Sequence, residues 1–116
     1  MPTPLTFDDV LRLALSFPGV EAGTSYGTPA FRVRGKFLGR LHQDGDSLVL
    51  RMDFDTREFL TRTSPSIYHF TDHYRDYPAV LIRFAAIDRD ELAERIEEAW
   101  RGYAPKRSIA EYDARA

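Results

Sequence analysis

The chain has 116 residues, 43% of them hydrophobic and 13% aromatic, which suits one globular domain with its own core and excludes a disordered chain. It has no cysteine, which excludes disulfides, thiolate metal sites and a cysteine nucleophile. A formal net charge of −2 excludes a protein basic over its whole surface, so a site for a polyanion has to come from local clustering of cations.

Met1 to Leu5 carries two prolines and is expected to be extended. Thr6 is an N-cap, with Asp9 closing a capping box, and Phe7, Val10, Leu11 and Ala14 then follow helical spacing until Phe17-Pro18-Gly19. Val20 to Tyr26 reads as a short strand. The stretch Tyr26 to Leu41 reads as a hairpin with a three-residue loop, Val33-Arg34-Gly35, and Gly35 at positive φ. That register sets Phe31 opposite Phe37 and Arg32 opposite Lys36, with the apolar and basic side chains on separate faces. Ser47 to Met52 is a further strand, with Leu48, Leu50 and Met52 on one face. Asp55-Thr56-Arg57-Glu58 reads as a capping box for a short helix through Arg62, anchored by Phe59 and Leu60. Ser66 to Phe70 is a candidate strand, Thr71 to Pro78 a polar, aromatic-rich connection, and Ala79 to Phe84 a strand. Asp88-Arg89-Asp90-Glu91 opens the last long helix, whose apolar face carries Leu92, Ile96, Ala99, Trp100 and Tyr103. Glu91 with Arg95 and Glu97 with Arg101 have ion-pair spacing on it.

Clustered hairpins with helices at the ends predict an α+β fold, an antiparallel β-sheet with helices packed on one face and solvent on the other. One domain is expected over residues 1–116, with a core over about 6–105 and a C-terminal tail, 106–116, that is either a frayed turn on Ile109 and Tyr112 or disordered. No run of about 18 apolar residues occurs, and no charged segment precedes an apolar one at the N-terminus, so a soluble, cytoplasmic, monomeric protein is expected.

Several of these segments resemble the MmcQ/YjbR family. Phe17-Pro18-Gly19-Val20, Tyr26-Gly27-Thr28-Pro29-Ala30-Phe31 and Val33-Arg34-Gly35-Lys36-Phe37 look like its opening. His73-Tyr74 and Tyr77-Pro78-Ala79-Val80 look like its second signature, and Trp100 with Tyr103 like its C-terminal helix. The likeness runs from about Val10 to Lys106. It implies a compact fold like that of CyaY and frataxin, compared with double-wing DNA-binding modules, and members are often labelled DNA-binding. An iron role does not carry over, because Asp8 and Asp9 are followed by Arg12 and an apolar run.

Two constellations are candidate sites. Strand alternation puts Arg32, Lys36, Arg40, Arg51 and Arg83 on the solvent face of the sheet, with Arg34 at the hairpin tip. Such cations can hold the phosphates of a nucleic acid, weakly and with strong salt dependence. They can equally be a solvated face, paired with Asp44, Asp46 or Asp53 or resting on Leu38 and Val49. The second constellation is an aromatic pocket of Tyr26, Tyr68, Tyr74, Tyr77 and Trp100, fit for a small ligand or a protein adaptor. His69 and His73 are four apart in a segment whose pattern opposes a helix, so no metal is expected, nor any other cofactor. Ser25 and Ser66 lack a nucleophile-elbow context. Gly27, Gly35 and Gly39 form no phosphate loop, and Asp8-Asp9 and Asp53-Asp55 sit where caps explain them. The expectation is a binding module and not an enzyme.

Overall fold

In the computed structural model, which describes residues 4–115, Thr6 accepts the Asp9 amide while the Asp9 carboxylate takes the Thr6 amide at 2.9 Å. This capping box opens α1 (Phe7–Leu15), whose Phe7, Val10 and Ala14 are buried. Residues 1–3 and 116, part of the expected extended start and of the expected tail, lie outside the described residues. The strands β1 (Val20–Ser25), β2 (Thr28–Val33), β3 (Lys36–Leu41) and β4 (Ser47–Arg51) come next. After them run α2 (Phe54–Thr63), β5 (Tyr68–His69), a 3-10 turn (Asp72–Tyr74), β6 (Ala79–Arg83), α3 (Arg89–Tyr103) and α4 (Lys106–Arg115). The sheet is antiparallel throughout in the order β1-β2-β3-β4-β6-β5, so the fold is α+β as expected. No helix among the described residues is long and apolar enough to cross a membrane.

The β2–β3 hairpin departs from the expected register. Its turn has two residues, Arg34 and Gly35, at φ 51° and 76°, and Val33 lies opposite Lys36. Two positive φ values in succession match the twist of the flanking strands better than a wider loop does. Gly35 therefore has the expected backbone in a shorter loop. A bulge then shifts the register, so that Arg32 pairs with Phe37 and Phe31 with Gly39, leaving Leu38 unpaired, and only beyond it do Arg40 and Leu41 return to their expected faces. Phe31 thus packs over Gly39 and not against Phe37, and Phe37 shares the other face with Arg32 and Arg40.

Helices α1 and α3 cover one face of the sheet. Phe31, Leu38, Leu48, Leu50, Val80 and Ile82 meet Val10, Leu92, Ile96 and Trp100 there, all fully buried. The opposite face does not meet solvent everywhere, against expectation. Val49, Ala79, Leu81 and Tyr74 form a second buried cluster, with Phe37 packed on it. β4 and β6 carry unbroken apolar runs, Leu48-Val49-Leu50 and Ala79-Val80-Leu81-Ile82, which is the pattern of strands covered on both sides. The cover is the 71–78 segment.

Both ends of the helical layer also differ from the reading of the sequence. Asp53, not Asp55, caps α2 by accepting from the Thr56 amide and hydroxyl, both at 2.8 Å. Leu60 anchors that helix, but Phe59 is exposed and Arg57 is buried in its place. Arg95 pairs with Glu98 at 2.6 Å and not with Glu91, while the expected Glu97–Arg101 pair is present at 2.7 Å. The expected tail is the docked helix α4. Its Tyr112 ring lies 5.3 Å from Phe17 and 5.2 Å from Trp100, and Arg101 forks onto Asp113 at 2.6 and 3.2 Å.

Candidate functional site

The bulge and the two tight turns shape a cavity of about 250 Å³ on the face away from the helices. Phe37 and Val49 form its floor. Tyr26 stands on one side, Tyr74, Tyr77 and His73 on the other, and Arg32 and Arg40 enter from β2 and β3. No carboxylate lines it. The two expected sites therefore merge: two of the predicted phosphate-binding cations and three of the predicted pocket tyrosines meet in one place.

Tyr26 owes its position to the β1–β2 turn, where Tyr26 and Gly27 have φ 51° and 78° and Ser25 lies opposite Thr28. The ring is 85% exposed, with the Arg40 guanidinium 5.4 Å from its centroid. Arg40 itself is 4% exposed, which corrects its placement on an open face. It donates to Thr28 Oγ1 (3.3 Å), the Leu41 carbonyl (3.2 Å), Gln43 Oε1 (3.4 Å) and the Tyr74 hydroxyl. Its donors are committed, so it lends the cavity charge more than contacts. Arg32 donates Nη1 to the Thr24 carbonyl at 3.1 Å and keeps its remaining donors.

The other predicted cations are spread out. Arg34 is exposed at its turn. Arg51 lies 4.4 Å from the Tyr103 ring and 5.9 Å from the Tyr77 ring, with its buried Nε unpartnered. Lys36 lies opposite Val33 on the helical face, with Nζ 6.0 Å from the Tyr103 ring of α3, which corrects its expected place beside Arg32 on the other face. Arg83 donates to the Pro65 carbonyl at 2.8 Å and lines a separate groove with His69, Asp44 and Asp46. Burial, and then the Arg83 charge, push the His69 imidazole below its ordinary value.

The anticipated neutralisation of these cations does not occur. Among the described residues, none of Arg32, Arg34, Lys36, Arg40, Arg51 and Arg83 has a carboxylate within 4.0 Å, whereas Arg62, Arg75, Arg89, Arg95, Arg101 and Arg107 all do. Asp44 pairs with His42 at 3.0 Å and Asp53 caps α2. The ion pairs thus gather mostly on α2, α3 and α4, while these six cations have none.

Tyr68 and Trp100 do not belong to the cavity, which corrects the expected pocket. Both lie on the helical face. The Tyr68 hydroxyl donates to Glu91 and accepts from Arg95 Nε at 3.0 Å. Burial first, then the Glu91 bond, pushes that hydroxyl up to about 12. Trp100 Nε1 donates to the Pro18 carbonyl at 2.8 Å. Among the described residues no three His, Asp or Glu side chains gather as metal ligands.

Sequence reasoning missed Arg57. It is 6% exposed, with its guanidinium 3.9 Å from the Phe70 ring and 4.8 Å from that of Phe54. Nη1 donates to the carbonyls of Tyr74 (2.7 Å), Tyr77 (2.9 Å) and Ala79 (3.0 Å), and Nη2 to that of Arg75 (2.8 Å). Burial holds its pKa below the ordinary arginine value. Arg57 thus fixes the segment that carries Tyr74 and Tyr77. Its spacing of three from Leu60, on the buried stripe of α2, was the available signal.

The YjbR family model matches residues 15–102. Uncharacterised proteins of Mycobacterium bovis (Mb2600) and Mycobacterium tuberculosis (Rv2570) are 39% identical over 66 residues, 56% of this chain and 51% of each relative. The match thus spans about half the length of these relatives. The crystal structure of Deinococcus radiodurans protein DR2400, a DUF419 domain, is similar with a TM-score of 0.72 and 18% identity. That likeness, of fold alone, covers 96% of this chain and 91% of that one.

Proposed function

The chain belongs to the YjbR family, and from that premise and the geometry of its sheet we propose that it is a non-enzymatic binding module for a nucleic-acid backbone. The observation that carries this reading is the set of arginines without carboxylate partners, Arg32, Arg40, Arg51 and Arg83 on the face away from the helices and Arg34 at the turn. Arginine forks hold phosphate oxygens in pairs, and Arg32 and Arg34 keep donors free for that. The buried Arg40 charge, with no counter-ion beside it, adds a field that an anion relieves. Ser25 and His73 share the cavity wall with no carboxylate to orient the imidazole, which supports binding over catalysis. The proposed setting is the cytoplasm, and the proposed working state a monomer.

The test is a titration of labelled DNA at several salt concentrations, wild type against Arg32→Ala with Arg34→Ala. Arg40 is left intact because its loss would strand the groups it bonds. Micromolar binding at best is expected, because the net charge of −2 opposes a polyanion. Affinity of the double variant falls alike for all sequences. Its slope of log K against log salt flattens by roughly 1.4 units for a single strand and roughly 1.8 for a duplex, two phosphates' worth. The tyrosine-lined cavity favours a second reading, a small-ligand or protein adaptor. Binding to an aromatic pocket lacks the steep salt dependence, and absence of DNA binding at low salt would move the assignment there.

A further inference from the structure

We infer that the cavity seats one unpaired nucleotide of a single strand, with its base against Tyr26, Tyr74 and Tyr77 and its phosphate at Arg32. This rests on the nucleic-acid reading above and adds what phosphate contacts alone leave out. A duplex keeps its bases stacked and offers a protein face only phosphates and groove edges, so it has no use for a hollow lined by aromatics. A hollow of about 250 Å³ has room for one flat ring system.

Tyr26 points to a stacked ligand. An aromatic ring 85% exposed on a two-residue turn, with φ positive at both residues, gains little packing from its position. One face is met by the Arg40 guanidinium, and the ring still adjoins the cavity. Opposite it, Tyr74 is held by Arg40 through its hydroxyl and by Arg57 through its carbonyl, so the wall is set before a ligand arrives. The apolar floor of Phe37 and Val49 suits the base, and the absence of carboxylates suits the anionic backbone. Stacking on tyrosine rings is tolerant of sequence, because every base has a π-face.

The experiment uses the full chain and fluorescence anisotropy with four probes: a labelled twelve-nucleotide single strand, the same strand as a duplex, an abasic strand of equal length, and thymidine monophosphate as competitor. The proteins are wild type, Tyr26→Ala and Tyr26→Phe, each checked for an unchanged thermal midpoint. Expected are binding of the single strand at least roughly tenfold tighter than of the duplex or abasic strand, and a loss of roughly tenfold to hundredfold in Tyr26→Ala. That loss is confined to the strand with bases and is restored in Tyr26→Phe. Equal binding of the abasic strand or of the duplex overturns base insertion and leaves the phosphate reading standing. Displacement by the mononucleotide at the affinity of the strand overturns it in favour of a free nucleotide. No binding of any DNA at low salt removes both readings.

Discussion

Gly39 is a glycine because Phe31 already fills the place of its side chain. A Cβ there would stand 2.8 Å from Phe31 Cζ and 2.9 Å from the Val49 carbonyl oxygen, closer than real Cβ atoms come. The second atom is backbone in the middle of the sheet, and Phe31 is itself fully buried, so neither can give way cheaply. Gly39→Ala is therefore expected to destabilise by about 1–3 kcal/mol, the cost of overpacking, although alanine is ordinarily the better strand residue. A urea midpoint matching that of wild type would mean that Phe31 has room to move and that the packing described is wrong. Arg40 makes the opposite point at the same scale. Alternation correctly put it on the face away from the helices, but alternation carries no information on what lies above a face. Its burial depends on Tyr74 and Gln43, and no local pattern announces those contacts.

Among the elements, the hairpin and the 71–78 segment decide what the sheet presents. The two-residue turn, with Arg34 and Gly35 both at positive φ, puts Phe37 with Arg32 and Lys36 with Val33, so apolar and basic side chains are not separated next to it. One extra residue in β3, a bulge, returns Arg40 to the side of Arg32 and Leu41 to the helical side. Gly39 in mid-strand was the mark of it, since glycine there often signals a bulge or a close backbone approach. The 71–78 segment was legible as aromatic and polar but not as a cover, because what fixes it comes from α2. There Arg57 gathers four carbonyls that would otherwise need other donors. Lysine keeps the charge but cannot span the same fork. Arg57→Lys is expected to cost about 2–4 kcal/mol and to speed hydrogen exchange at the Tyr74 and Tyr77 amides, with α1 and α3 unchanged. Uniform acceleration across the chain would show instead that the segment does not open by itself.

At the scale of the whole molecule, the two faces of the sheet have different work. The helical face holds the large core and most of the ion pairs, and the opposite face holds a small cluster, a cavity and arginines without carboxylate partners. The core was legible from Val10, Leu48, Leu50, Ile96 and Trp100, whose spacing admits few alternatives. The charge segregation was not, because composition sums what the fold separates. Helix α4 was missed for a related reason: Ile109 and Tyr112 are too few to hold a helix by themselves, and only a groove beside Trp100 makes them sufficient. That dependence can be measured. A chain ending at Ala104 loses the ring at 5.2 Å from Trp100, and with it the Arg101–Asp113 pair. Water then reaches one side of an indole that is otherwise fully buried. Trp100 is the chain's single tryptophan, so its emission reports the site directly, and a red shift with a lowered denaturant midpoint is expected. Tyr112→Ala in the full chain should act in the same direction, at about 1–3 kcal/mol for a half-buried aromatic ring. The cavity lies across the sheet, so DNA affinity of the folded, shortened chain should equal that of wild type. Unchanged emission would show that α4 does not cover Trp100, and a loss of DNA affinity in a chain that remains folded would show that the two faces are coupled.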